Sequence, residues 1–222
     1  TALLADACDL PEPDNEMVFF TVGPAPLNVS ALTVTWPNLP FQGFEQNATT
    51  AALVAGFNAS VTNPSCGQII EPTAGLLPAG AKVVLVTGTQ TNSSAYSFAN
   101  LTGTLYMIFQ STSGNTAGYF KNWGNSSTGA TNDFTPRTLT MDFGGGCAET
   151  VSYIPNDLVD INGNHSADNG ALALFDHAGN VSYANYNCSI PPLVFTVAAS
   201  PTTICPSAAT TVTCNVVSGY YT

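Results

Sequence analysis

Asp160-Ile-Asn162-Gly-Asn164-His-Ser-Ala-Asp168 places oxygen side chains at alternate positions and closes the run with a further carboxylate. Hard cations such as calcium are held by such oxygens, so Asp160, Asn162, Asn164 and Asp168 form a candidate calcium set. An EF-hand loop needs glycine where His165 stands and glutamate at its twelfth position, and this chain has neither. The plain reading of the same residues is an Asx-rich surface turn, in which Asn and Asp bond their own backbone. His165, Asp176 and His177 raise a second chemistry, a hydrolase with a serine nucleophile. Adjacent side chains on a strand point to opposite faces, which separates Asp176 from His177. No G-x-S-x-G, His-x-x-x-His or phosphate-cradling glycine loop is present. The 14 acids offer no pair in a distinctive setting for glycosidase work. These observations point away from an enzyme.

Aromatic residues give a third chemistry. Phe41, Phe44 and Trp123, with Tyr119 and Phe120, fall in or near expected loops. There they would stack on a sugar or anchor a protein partner. The plain alternative is loops tucked onto the end of the fold. Asn-x-Ser/Thr sequons stand at Asn28, Asn47, Asn58, Asn92, Asn100, Asn125, Asn164, Asn180 and Asn187. With 20 Asn and 45 Ser or Thr among 222 residues, chance alone gives roughly four, so the sequons are in excess. They read as glycan acceptors on an extracellular surface, or as unused sequons on an Asn/Thr-rich bacterial one.

Only 8% of the chain is charged, its formal net charge is −11, and Lys82, Lys121 and Arg137 are its only strong bases. Three scattered bases cannot displace counterions from phosphates, which argues against nucleic acid and against anionic membrane surfaces. No apolar run reaches the ~18 residues that span a bilayer. The start lacks a basic and then apolar leader, so Thr1 is expected to be a mature N-terminus. The six cysteines lack C-x-x-C spacing, which favours disulfides over zinc and an oxidising compartment. Sequence leaves the connectivity open. The expected pairing is Cys8–Cys188, Cys66–Cys147 and Cys205–Cys214, tying the start of the main domain to its end and closing one hairpin-sized segment.

The elements that would position these groups are mostly strands, expected at 16–22, 29–36, 81–88, 103–110, 137–143, 150–154, 171–176 and 181–186. Two more are expected at 193–199 and 210–217. Leu32, Val34 and Trp36 alternate with Thr33 and Thr35, as on a half-buried strand, whereas Lys82-Val-Val-Leu-Val86 is apolar on both faces. Many short strands with polar turns read as an all-β sandwich. Asn47 followed by Ala, Thr and Leu predicts one helix closing near Gly56. Residues 111–135 read as a long loop. Ser189-Ile-Pro-Pro-Leu193 looks like a linker, dividing a domain at 1–190 from 191–222. That tail would add strands, begin a following module, or fill a groove on a neighbouring subunit.

Asn15-Glu16-Met-Val-Phe-Phe, Leu32-Thr-Val-Thr-Trp36 and Leu77-Pro-Ala-Gly-Ala-Lys-Val-Val-Leu-Val86 together resemble a lamin-tail-type immunoglobulin-like domain. Asp168-Asn-Gly-Ala-Leu-Ala-Leu-Phe-Asp-His-Ala-Gly-Asn180 fits the closing hairpin of such domains. Ala199-Ser-Pro-Thr-Thr-Ile-Cys-Pro resembles the first strand of repeat modules in Bacteroidota surface proteins. The resemblance covers roughly residues 15–187, and the loop at 111–135 and the helix near Asn47 depart from it. It implies an immunoglobulin-like sandwich used as an accessory or adhesive module, with no catalytic residues to carry over. The expected function is therefore a non-catalytic, secreted or cell-surface structural or adhesive module. Its partners would be other copies of itself, a larger surface assembly or a glycan, and calcium is the one cofactor the sequence raises. The alternatives are a filament subunit exchanging 1–14 or 191–222, a carbohydrate-binding module, and a secreted hydrolase.

Overall fold

Apolar runs divided by Asn, Gly and Pro give a β-rich chain with one α-helix in the computed structural model, which describes residues 1–8, 14–112, 114, 118–120, 134–165, 169–176 and 178–189. The first strands are β1 (Ala2–Leu4), β2 (Met17–Thr21), β3 (Leu27–Asn28), β4 (Thr33–Thr35) and β5 (Phe44–Glu45). Helix α1 (Ala48–Asn58) follows, then β6 (Gly67–Ile70), β7 (Leu76–Leu77), β8 (Lys82–Val86) and β9 (Gly103–Gln110). Next come β10 (Arg137–Asp142), β11 (Ala148–Tyr153), β12 (Ala171–Phe175) and β13 (Val181–Asn185). Expected strands at 193–199 and 210–217 lie outside the described residues, as do Trp123, Asn125, Asp168, His177, Cys205 and Cys214.

The larger sheet runs β13-β12-β1-β2-β8-β9, and both β5 and β6 pair with the outer edge of β9. A second sheet has the order β11-β10-β4, and β3 pairs with β7 as a small ribbon. One core is shared by the sheets. Val18, Phe20, Val83, Leu85 and Ile108 enter it from the larger sheet, and Val34, Leu139, Met141, Val151 and Tyr153 from the smaller. This is the sandwich-like, all-β architecture expected. By the two-residue period, Met17, Phe19, Val84, Val86, Met107 and Phe109 point to the other face, and they are buried too. Burial on both faces, with parallel β8–β9 pairing, explains why β8 reads as a continuous apolar run.

Helix α1 starts where its sequence predicts. Asn47 Oδ1 accepts from the N–H groups of Thr49 and Thr50, and Thr50 Oγ1 receives the Asn47 N–H, forming a capping box. Thr50, Val54 and Phe57 form its buried stripe, and the Phe57 ring meets Phe98 at 5.4 Å and Tyr96 at 6.1 Å. The strand expected over 29–36 shortens to β4. Asn28 Oδ1 takes the Ser30 N–H and turns 29–31 into a 3-10 helix.

β1 sits between β12 and β2 of its own chain, so part of the 1–14 segment is a central strand here. Cys8 is bonded to Cys188, tying this opening strand to the last described turn. Gly170 makes room for it: its φ is +88°, and a Cβ there would lie 2.8 Å from the Cys188 nitrogen. The Cys66–Cys147 bridge expected from sequence is corrected. Both thiols are free and exposed, Cys66 at the start of β6 and Cys147 in the β10–β11 hairpin of the other sheet. An even count of cysteines specifies no geometry, and these two belong to different sheets.

Tyr119 and Phe120 follow the plain alternative: they lie outside any strand, tucked onto the sandwich with both side chains buried. The fully buried Glu16 carboxylate accepts from the N–H groups of Tyr119 (2.6 Å) and Phe120 (3.2 Å). Tyr153 donates its hydroxyl to the Phe120 carbonyl, and Trp36 meets the two rings at 5.3 and 5.6 Å. Two backbone N–H groups bonded to one side chain tie this stretch to β2 and so to the sandwich.

Candidate functional site

A cleft of about 540 Å³ opens at the edge of the sandwich, where the two sheets part. Its walls are contributed by four separate segments: Asn28 to Thr33 at the start of β4, Phe41 to Gln46 around β5, Glu71 to Gly75 after β6, and Met107–Ile108 of β9. The opening follows from strand register. β6 pairs with β9 up to Ile70↔Tyr106, and β5 pairs with it only at Glu45↔Phe109 and Phe44↔Gln110. Among the described residues Met107 and Ile108 thus have no strand opposite them on that edge.

Phe41 and Phe44, singled out in the sequence as ligand candidates, both line this cleft. They are half-buried and pack edge to face, with ring centroids 4.9 Å apart and planes at 65°. Two carboxylates share the cleft. Thr50 Oγ1 lies 2.6 Å from Glu71 Oε1, fixing that carboxylate beside the start of α1. Among the described residues no donor reaches Glu71 Oε2 or the Glu45 carboxylate. Ala74, on the same wall, has φ 52° and ψ 31°, a left-handed conformation that costs a residue with a Cβ about 1–2 kcal/mol. Strain of this kind persists only where the surroundings hold it, and it gathers at ligand sites.

No family model matches this chain, and neither does any curated protein or solved structure. Its functional reading therefore rests on the geometry.

The other sequence candidates resolve into turns. Asp160 Oδ1 accepts from the N–H groups of Asn162 and Asn164, and Oδ2 from Asn164 Nδ2. Backbone bonds from Asp160 N to Asn164 O and from Gly163 N to Asp160 O close the hairpin. Asp176 repeats this pattern with Ala178, Gly179 and Asn180, so both Asp-x-x-Gly-Asn runs are the same turn. Hydrogen bonds, led by that of the Asn164 side chain, hold the Asp160 carboxyl below its usual range. Both Asp160 oxygens are thus engaged within the turn, while Asp168, the last of the candidate calcium set, lies outside the described residues. Among the described residues no three His, Cys, Asp or Glu side chains gather to hold a metal ion. His165 Nδ1 lies 3.1 Å from the Asn156 carbonyl and is exposed.

Sequon residues Asn28, Asn47, Asn92, Asn100, Asn164, Asn180 and Asn187 are exposed, whereas Asn58 is half-buried. Asn58 bonds both the N–H and the carbonyl of Ile69, which locks its amide between α1 and β6. Glu45, Glu71 and Ala74 were not singled out in the sequence. The signal for Glu45 was its place directly after Phe41-x-x-Phe44; no local pattern marks the other two.

Proposed function

We propose that this chain is a non-catalytic, extracellular adhesive module of a surface protein or appendage, built as an immunoglobulin-like sandwich of lamin-tail type. The observation that carries this reading is the cleft, whose size is that of clefts that hold ligands and whose wall pairs aromatic side chains with a few polar groups. Its floor and two of its walls include strand residues Thr33, Phe44, Glu45, Met107 and Ile108, so a ligand would meet a surface partly in shape, which lowers the ordering cost. The low charge, the Asn/Thr-rich surface and the Cys8–Cys188 bridge support an extracellular setting, because disulfides persist in oxidising compartments. Among the described residues no helix is long and apolar enough to cross a membrane. The carbohydrate-binding alternative uses the same cleft, with Phe41 and Phe44 as its stacking faces.

Retention of the labelled chain on arrays of glycans and of immobilised extracellular proteins tests the reading, run beside a Phe41→Ser/Phe44→Ser variant. The expected result is saturable retention that the variant loses, with the captured ligand recovered intact. Retention indifferent to the variant, or a ligand recovered cleaved, would overturn it.

A further inference from the structure

The charge in the cleft is one-sided. Glu45 and Glu71 both line it, together with Asn28, Ser30, Thr33 and Gln46, and among the described residues no basic one does. One Glu71 oxygen and the whole Glu45 carboxylate have no described donor, and both residues are half-buried beside Phe41, Phe44, Met107 and Ile108. Both carboxylates stand on the wall of one cleft beside apolar side chains, so a cation entering it meets acceptors of opposite charge. Aromatic rings favour a cation over any other charged group. The edge-to-face packing of Phe41 against Phe44 also offers less of a flat platform than a stacked sugar ring uses.

Resting on the reading of the cleft as a binding site, we propose that it captures a lysine or arginine side chain of another protein. The two-residue gap between β6 and β5 on the outer edge of β9, about 7 Å along the strand, has room for one side chain reaching in from a partner. A second copy of this chain is a poor occupant. It offers 3 strong bases at most, of which Lys82 and Arg137 are strand residues of β8 and β10 and Lys121 lies outside the described residues. Charge complementarity thus selects a basic partner for a chain of net charge −11.

Fluorescence anisotropy of the 222-residue chain tests this, with a fluorescein-labelled capped peptide, Gly-Ala-Lys-Ala-Arg-Ala-Gly, and its norleucine–citrulline counterpart as probes. The cationic peptide is expected to bind saturably and the neutral one at least about tenfold more weakly. Glu45→Gln/Glu71→Gln is expected to weaken the cationic peptide by about tenfold or more, whereas Glu149→Gln/Asp157→Asn, an equal charge change outside the cleft, shifts it less than about twofold. Glu45→Lys alone, which spares the Thr50–Glu71 bond, should also abolish binding. Equal losses in both double variants would mean attraction to the bulk charge and would overturn the proposal. No saturable binding of the cationic peptide overturns it as well. Cleft-dependent binding of chitohexaose without the peptide would overturn the cation assignment while leaving the cleft a binding site. Binding of neither probe in the cleft would count against both.

Discussion

Two acids near the start of β2 are buried for opposite reasons, and their variants should separate them. Glu16 is held by the N–H groups of Tyr119 and Phe120. Glu16→Ala strands both donors in the core, so urea unfolding is expected to show a loss of about 3 kcal/mol. Asp14 is different: burial pushes its carboxyl above the usual range, and the Thr112 hydroxyl only partly offsets this. Its proton is bound more tightly in the folded chain than in the unfolded one, so its contribution is full at low pH and is lost as pH rises through the folded pKa. The unfolding free energy of the native chain should therefore fall relative to Asp14→Asn as pH climbs from about 3 toward neutrality. A flat difference across that range would show that Asp14 is not the group responsible. Neither role was legible in the sequence. Glu16 was visible only as part of an Asn-Glu pair opening a strand, and its partners are the main chain more than 100 residues away.

Elements with enough residues to show a period were legible, and shorter ones were not. β8, β9, β10 and β12 lie within their expected spans, and α1 starts immediately after its expected cap. β3, β5 and β7 have two residues each, too few to display any alternation. β1 was passed over because Ala2-Leu-Leu4 is three residues long and buried on both faces, so it has no alternation either. The cleft was illegible for the same reason: its four wall segments are brought together only by the register of β5 and β6 on β9. Phe41 and Phe44 were recognised, but the segment opposite, with Ala74 held at φ 52°, has no sequence signature. Ala74→Gly should relieve that conformation and raise stability by about 0.5–1 kcal/mol, read from thermal unfolding. A destabilised Ala74→Gly would mean that the Ala74 methyl packs in the cleft wall and outweighs the backbone gain.

At the scale of the whole chain, the described residues are closed by one bridge across 180 positions. Chain-entropy reasoning makes a loop of that length worth about 5 kcal/mol, with removal of native bridges from small secreted domains costing about 2–5 kcal/mol. Cys8→Ser/Cys188→Ser is thus expected to lower the denaturation midpoint markedly, whereas Cys66→Ser and Cys147→Ser, both at exposed free thiols, should leave it nearly unchanged. The low charge and the Asn/Thr richness are readable from composition alone, and the sandwich-like class from the succession of short strands and polar turns. What composition does not indicate is where on this sparsely charged, acidic surface two carboxylates meet an apolar edge. The most direct test is a backbone amide NMR titration of the chain with the lysine–arginine peptide. The account predicts saturable shifts centred on Phe44, Glu45, Glu71, Ala74, Gly75 and Met107. Shifts centred elsewhere, along β13 or the turn at Asp160, or none at saturating peptide, would contradict it.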